Sequence, residues 1–194
     1  MNWSNKSPMS VACRPEILLH PNIPKPMHGV APRVIMGKEW WDVERQKAYK
    51  STNYHCAACG VHKSDANYHE WLEAHELYDM DYECGRMVFK ELVPLCHACH
   101  NFIHSGRMAM LVSKGEMTES KEREILRHGN AVLKAAKLKQ PKPPKKIAAW
   151  SNWRLVFNGQ EYKPKHKSFA AWLSFYSNGL EYEIEDFMME EFHL

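Results

Sequence analysis

Glycine is scarce in this chain, 9 of 194 residues, which excludes collagen-like and other fibrous repeats. Long apolar runs are missing too: none approaches the roughly 18 residues that a membrane span needs. The segment Met1 to Val11 is polar and lacks the apolar stretch of a secretory signal, so the expected location is the cytoplasm, with no membrane partner. Neither sign of charge dominates. A net charge of +3 with histidine neutral is too mild to name a partner. Apolar material, in contrast, is ample: hydrophobic residues make up 44%, with 7 Trp, 8 Tyr and 7 Phe, which excludes a wholly disordered chain. There are also 6 Cys and 12 His, and in a cytosolic protein that usage points to metal before disulfides.

Changes of composition divide the chain. Residues 1–37 carry Pro15, Pro21, Pro24, Pro26 and Pro32 and read as an extended N-terminal arm. Residues 38–139 form the core. There Lys38 to Lys50 suits a helix with an aromatic face, and Tyr68 to Leu77 suits a strand with Trp71, Glu73 and His75 alternating. Met87 to Leu95 suits a second strand, and Cys96 to His104 a turn entering a helix. Further helical pieces are expected at Arg107 to Lys114, Glu119 to His128 and Ala131 to Leu138. Gly115 and Gly129 would serve as stops, with Thr118 and Asn130 as N-caps. Residues 140–148 are a Pro/Lys linker. Residues 149–194 form a small α+β module with a hairpin turn at Asn158-Gly159, a helix from Ser168 to Tyr176 and an acidic tail. Trp150, Trp153, Phe157, Phe169, Trp172 and Phe175 are its expected core.

Cys56-x-x-Cys59 and Cys96-x-x-Cys99 each offer two sulfurs from one turn. Brought together they make the tetrahedral four-sulfur site that zinc prefers, and four thiolates leave no position open for substrate, so this zinc would be structural. Disulfide pairing is disfavoured by the missing secretory signal, and an iron–sulfur cluster has no positive support. Cys13 and Cys84 lack such a partner and read as ordinary thiols.

The second pair runs on as Cys99-His100-Asn101-Phe102-Ile103-His104, which puts His100 and His104 on one helical face, able to hold one ion. His97 falls inside the thiol turn and is left out of that set. Upstream, His75 closes the string Trp71-Leu72-Glu73-Ala74-His75 on the expected strand.

From Cys56 to Gly106 the chain resembles the HNH endonucleases of the ββα-metal superfamily, in the zinc-ribbon form found in bacterial and phage proteins. The resemblance implies an α+β fold: a ββα-metal core clamped by a four-cysteine zinc, flanking helices and the small C-terminal module. It implies a metal-dependent hydrolase of DNA, acting on phosphodiester bonds and most naturally on double-stranded DNA. His75 matches the general base that takes a proton from the attacking water. His100 and His104 match the helical ligands of a second, exchangeable divalent ion, for which Mg²⁺, Mn²⁺, Ni²⁺ and Zn²⁺ are candidates. Glu91 stands where the family carries its central Asn. The residue before the base, a ligand in many relatives, is Ala74 here. Glu73 is the nearest substitute ligand, with Glu91, Asp79 and Asp81 as others. The alternative is a catalytically inactive, zinc-stabilised DNA- or protein-binding regulator derived from the same fold.

A nuclease needs cationic surface for the phosphate backbone. Arg107 and the acid-free stretch holding Lys134, Lys137, Lys139, Lys142, Lys145 and Lys146 are the expected DNA contacts.

Overall fold

The computed structural model describes residues 13–177. The polar N-terminal segment and the acidic tail considered above lie outside those residues. The fold is α+β. Helices α1 (Pro32–Met36) and α2 (Lys38–Ser51) precede strands β1 (Glu73–Asp81) and β2 (Arg86–Leu95). Helices α3 (His97–Ile103), α4 (Ser105–Ser113) and α5 (Glu119–Ala135) follow, then strands β3 (Arg154–Phe157) and β4 (Gln160–Tyr162), and helix α6 (Phe169–Ser177). The strands form one sheet in the order β1-β2-β3-β4. β2 and β3 run parallel, with Met87 opposite Leu155, which requires the long connection that α3, α4 and α5 occupy. β3 and β4 are antiparallel, joined at Asn158-Gly159, where φ is 51° and 74° as a tight hairpin turn demands. No helix among the described residues is long and apolar enough to cross a membrane.

The chain divides into two compact units, each assembled from three segments. The first takes residues 13–20, Val43–Leu77 and Leu92–Pro141. Ile17, Leu18, Ile103, Met108, Ile125 and Leu133 are among its buried apolar residues. Thr118 caps α5, its side chain accepting from the Lys121 amide at 3.2 Å. The expected break at Gly129 does not occur: α5 runs through it, and Asn130 lies inside the helix. Gly129 is there for packing, since a Cβ on it would stand 2.2 Å from the Phe102 ring. Strand β1 begins at Glu73, later than the alternation suggested. Tyr68 sits at φ 81°, a conformation that a bulky side chain rarely adopts and that no strand continues through.

The second unit takes Pro21–Asp42, Tyr78–Glu91 and residues 142–177. Met27, Val30, Tyr78, Met87, Trp153, Leu155 and Phe157 form its core. Met87 and Leu155 are fully buried, and enclosing a side chain of that size contributes about 1.5–3 kcal/mol. Trp153 and Phe157 belong to this core, as expected, whereas Phe169 on α6 stays 48% exposed. An aromatic residue on a helix with one covered face need not be interior. Asp81 turns the chain between β1 and β2: its carboxylate accepts from the Glu83 and Cys84 amides at 3.0 and 2.9 Å, and Gly85 closes the turn at φ 73°.

Among the described residues, the proline-rich start is not a continuous extended arm. Pro15–Leu19 and Lys25–Met27 are 3-10 turns and Pro32 opens α1, with a proline in the first turn of each. The first turn of a helix has no use for the amide that proline lacks, so these prolines start short helices instead of preventing them.

Candidate metal centre

The two thiol pairs meet inside the first unit. The Cys56 amide donates to Val61 O and the Gly60 amide to Cys56 O, folding the first pair into a tight turn. The Ala57 amide donates to Pro94 O at 2.8 Å, which pins that turn beside the end of β2. Cys96 then precedes α3 and Cys99 lies in its first turn. Gly60 sits at φ 77°, a backbone conformation that side-chain-bearing residues rarely adopt, and a Cβ there would stand 2.5 Å from Cys13 Sγ. The four sulfurs lie within 4.8 Å of one another, with Cys59 and Cys96 3.8 Å apart. A tetrahedral ion bound at about 2.3 Å by each sulfur sets its ligands about 3.8 Å apart. A disulfide needs about 2.05 Å, and all the described cysteines are unbridged. The donor set and its spacing fit zinc.

Hydrogen bonding among the thiols divides them. Donation from Cys56, Cys96 and Cys99 pushes the Cys59 pKa down, while Cys96 and Cys99 are pushed up. His128 on α5, expected only as a helix end, places Nε2 3.3 Å from Cys99 Sγ, and hydrogen bonding to Cys59 raises its pKa. Nothing in the spacing announced it, because α5 reaches the sulfurs only through tertiary packing.

Beside the thiols stands a group of imidazoles. Alternation along β1 puts Glu73 and His75 on one face, 7% and 4% exposed. His100 lies in α3. His104 sits at the junction of α3 and α4, with its amide still bonded to His100 O at 3.2 Å. His75, His100 and His104 form one group whose ligand atoms lie within 4.8 Å of each other. His75 Nδ1 is 3.2 Å from His104 Nε2, and the ring centroids of His75 and His100 are 5.5 Å apart. His75 Nε2 lies 3.3 Å from His20 Nδ1, so the segment read as an arm contributes a ring to the site.

Glu73 is the most connected side chain here. One carboxylate oxygen meets His69 Nε2 at 3.1 Å and His97 Nδ1 at 2.7 Å, and the other contacts His100 Nδ1. Burial alone would raise its pKa, but the charge and hydrogen bonds of His100, with those of His69 and His97, hold it well below the usual carboxylate range. His69, Glu73 and His97 make a third group able to hold an ion. His97, set aside as part of the thiol turn, points instead at Glu73, and Asn101 donates to its backbone carbonyl at 3.0 Å.

The other acidic candidates lie apart from these groups. Ala74 is buried and carries no donor. Glu91 is exposed on β2 and belongs to none of the three groups. Asp79 pairs with Lys90 at 2.9 Å, and Asp81 is engaged in its turn. Of the basic residues, Lys134 is exposed on α5, Lys137, Lys139, Lys142, Lys145 and Lys146 are exposed in the segment after it, and Arg107 is half-buried on α4.

No protein-family model, curated protein or solved structure matches this chain.

Proposed function

We propose that the protein is a metal-dependent endonuclease of the HNH type, hydrolysing phosphodiester bonds of DNA in the cytoplasm. The observation that carries this reading is the convergence of His75, from a strand, with His100 and His104, from the following helix, beside a four-thiol cluster. In this reading His75 takes the proton from water as the water oxygen attacks phosphorus and the bond to the 3′ oxygen breaks. Imidazole suits that task because its pKa of about 6.5 leaves much of it neutral at working pH. His20, against the second nitrogen of His75, orients the ring. His100 and His104 hold the exchangeable divalent ion, which when bound would neutralise charge on the scissile phosphate and the departing oxygen. The cysteines hold zinc as a clamp, and the lysines from Lys134 to Lys146 bind the duplex backbone without reading its bases.

A plasmid-nicking assay across Mg²⁺, Mn²⁺, Ni²⁺ and Zn²⁺ tests it. Cleavage with at least one ion is expected, falling about 100-fold or more in His75→Ala, the range of a lost general base. A second reading, a regulator that binds DNA or protein without cutting, draws on Ala74 and on the exposure of Glu91 outside the metal-capable groups. Salt-sensitive DNA binding with no cleavage under any ion would select it.

A further inference from the structure

The group formed by His69, Glu73 and His97 has no part in the reading above, yet its geometry is that of a ligand set. The edges of its triangle are 3.1 Å (His69 Nε2 to Glu73 Oε1), 2.7 Å (His97 Nδ1 to Glu73 Oε1) and 3.0 Å (His69 Nε2 to His97 Nδ1). Three donors about 2.1 Å from one ion and at right angles to one another stand about 3.0 Å apart. Two imidazoles and one carboxylate on a single face are a donor set for first-row divalent ions.

Hydrogen bonding alone accounts poorly for the triangle. His69 Nδ1 lies 3.2 Å from Trp71 O, a carbonyl that can only accept, so Nδ1 carries the proton. In the neutral ring Nε2 is then a bare lone pair, and a proton on His97 Nδ1 serves only the two edges that atom shares, leaving the His69–Glu73 edge unmet. A second proton on His69 lets Nε2 donate to Glu73 but sets that N–H against His97 Nδ1–H at 3.0 Å, so no protonation state serves all three edges. A cation at the centre satisfies all three atoms. The ring is also locked in place. His69 stacks on Trp71 at 3.7 Å and 1°, and its bond to a backbone carbonyl is the support that metal-binding histidines regularly have. His97 keeps Nδ1 on the carboxylate although its Nε2 is buried with no hydrogen-bond partner among the described residues. An unmet buried donor or acceptor of that kind costs about 1–3 kcal/mol.

We propose that His69, Glu73 and His97 bind a divalent first-row transition ion of their own, linked to the His75–His100–His104 group through the Glu73 carboxylate. The remaining oxygen of Glu73 contacts His100, so one carboxylate touches both groups. Three protein donors leave coordination positions for water or for a phosphate oxygen. The existence of this site does not rest on the endonuclease reading. Absence of nicking would remove that reading and leave the metal stoichiometry untouched.

The test uses the full chain with zinc retained on the thiolates, other ions stripped by mild chelation, and Co²⁺ as the probe. Bound cobalt is counted per chain after gel filtration, and the visible spectrum distinguishes nitrogen–oxygen from thiolate ligation. Wild type should take up one Co²⁺ more than His97→Ala and one more than His69→Gln, with thiolate zinc and circular dichroism unchanged. His104→Ala should also lose one Co²⁺ and keep the other. His69→Gln, in the loop before β1, carries the test if His97→Ala fails to fold. Equal uptake by wild type and His69→Gln, or no cobalt left on His104→Ala, overturns the proposal.

Discussion

The four-thiol cluster and the imidazole groups lie in the same unit and are built on opposite plans. Each thiol pair comes from one turn of chain, so two local spacings supply all four sulfurs. The imidazoles come from the residue after the first 3-10 segment, the loop before β1, β1 itself, α3 and the α3–α4 junction, and no one short spacing contains them all. A site made of local pairs needs only that the two pairs meet, and its metal then holds the fold. A site made of scattered rings needs the fold first. The thiolate ion should therefore govern stability, and the imidazole ions should govern only their own binding.

Breaking the thiol side should have the largest effect. Cys56→Ser or Cys99→Ser, or stripping the zinc with a strong chelator, should abolish cooperative thermal unfolding of the first unit. Structural zinc supplies about 10–16 kcal/mol of apparent binding energy in small zinc-dependent folds. Circular dichroism melts with zinc analysis check it, and a sharp melt persisting in the zinc-free protein would contradict the clamp. On the other side, His104→Ala should leave thiolate zinc and melting intact while weakening the exchangeable ion about 10–100-fold or more. Parallel loss of both ions on titration would show that the two sites are not separable.

The same contrast explains what could be read from the amino-acid order. The thiol pairs, β2, the opening of α3 and the Asn158-Gly159 hairpin were legible because each is written within a few residues. The pairing of His100 with His104 was legible from helical spacing, and the place of His75 beside them came only from the family resemblance. His20, His69, His97 and His128 were not legible as a set, since each reaches its partner across the tertiary fold. The prolines misled for a different reason. Proline excludes helix interiors but favours first turns, and composition does not say which of the two applies.

A substitution at Gly129 should have an effect of intermediate size. The Phe102 ring occupies the space of its missing Cβ, and Phe102 lies in α3 between His100 and His104. Gly129→Ala improves helix propensity by up to about 1 kcal/mol. It also forces that ring to move, and overpacking of this kind costs about 1–3 kcal/mol. A net lower melting temperature is expected, with thiolate zinc unchanged. A raised melting temperature would mean that Phe102 has room to yield.

The smallest effect concerns a histidine remote from any metal-capable group. His28, in the second unit, donates from Nε2 to Ile23 O at 3.1 Å, so its Nδ1 is bare and accepts from Trp172 Nε1 at 3.3 Å. Both partners of the neutral ring are thereby fixed. A second proton would set an N–H against the indole N–H. Burial lowers the His28 pKa, and the nearby charge of Lys25 and His166 lowers it further, against the Ile23 bond that raises it. A histidine whose folded pKa is depressed contributes stability that is full above the unfolded value, about pH 6.5, and lost as the pH falls through the lower folded value. His28→Gln can keep both hydrogen bonds, with its amide NH₂ donating and its carbonyl accepting, but it cannot take up a proton. Urea unfolding midpoints for wild type should therefore fall more steeply below pH 6.5 than those of His28→Gln. The groups common to both proteins cancel in the difference. Identical slopes would mean that protonated His28 is accommodated without disturbing α6.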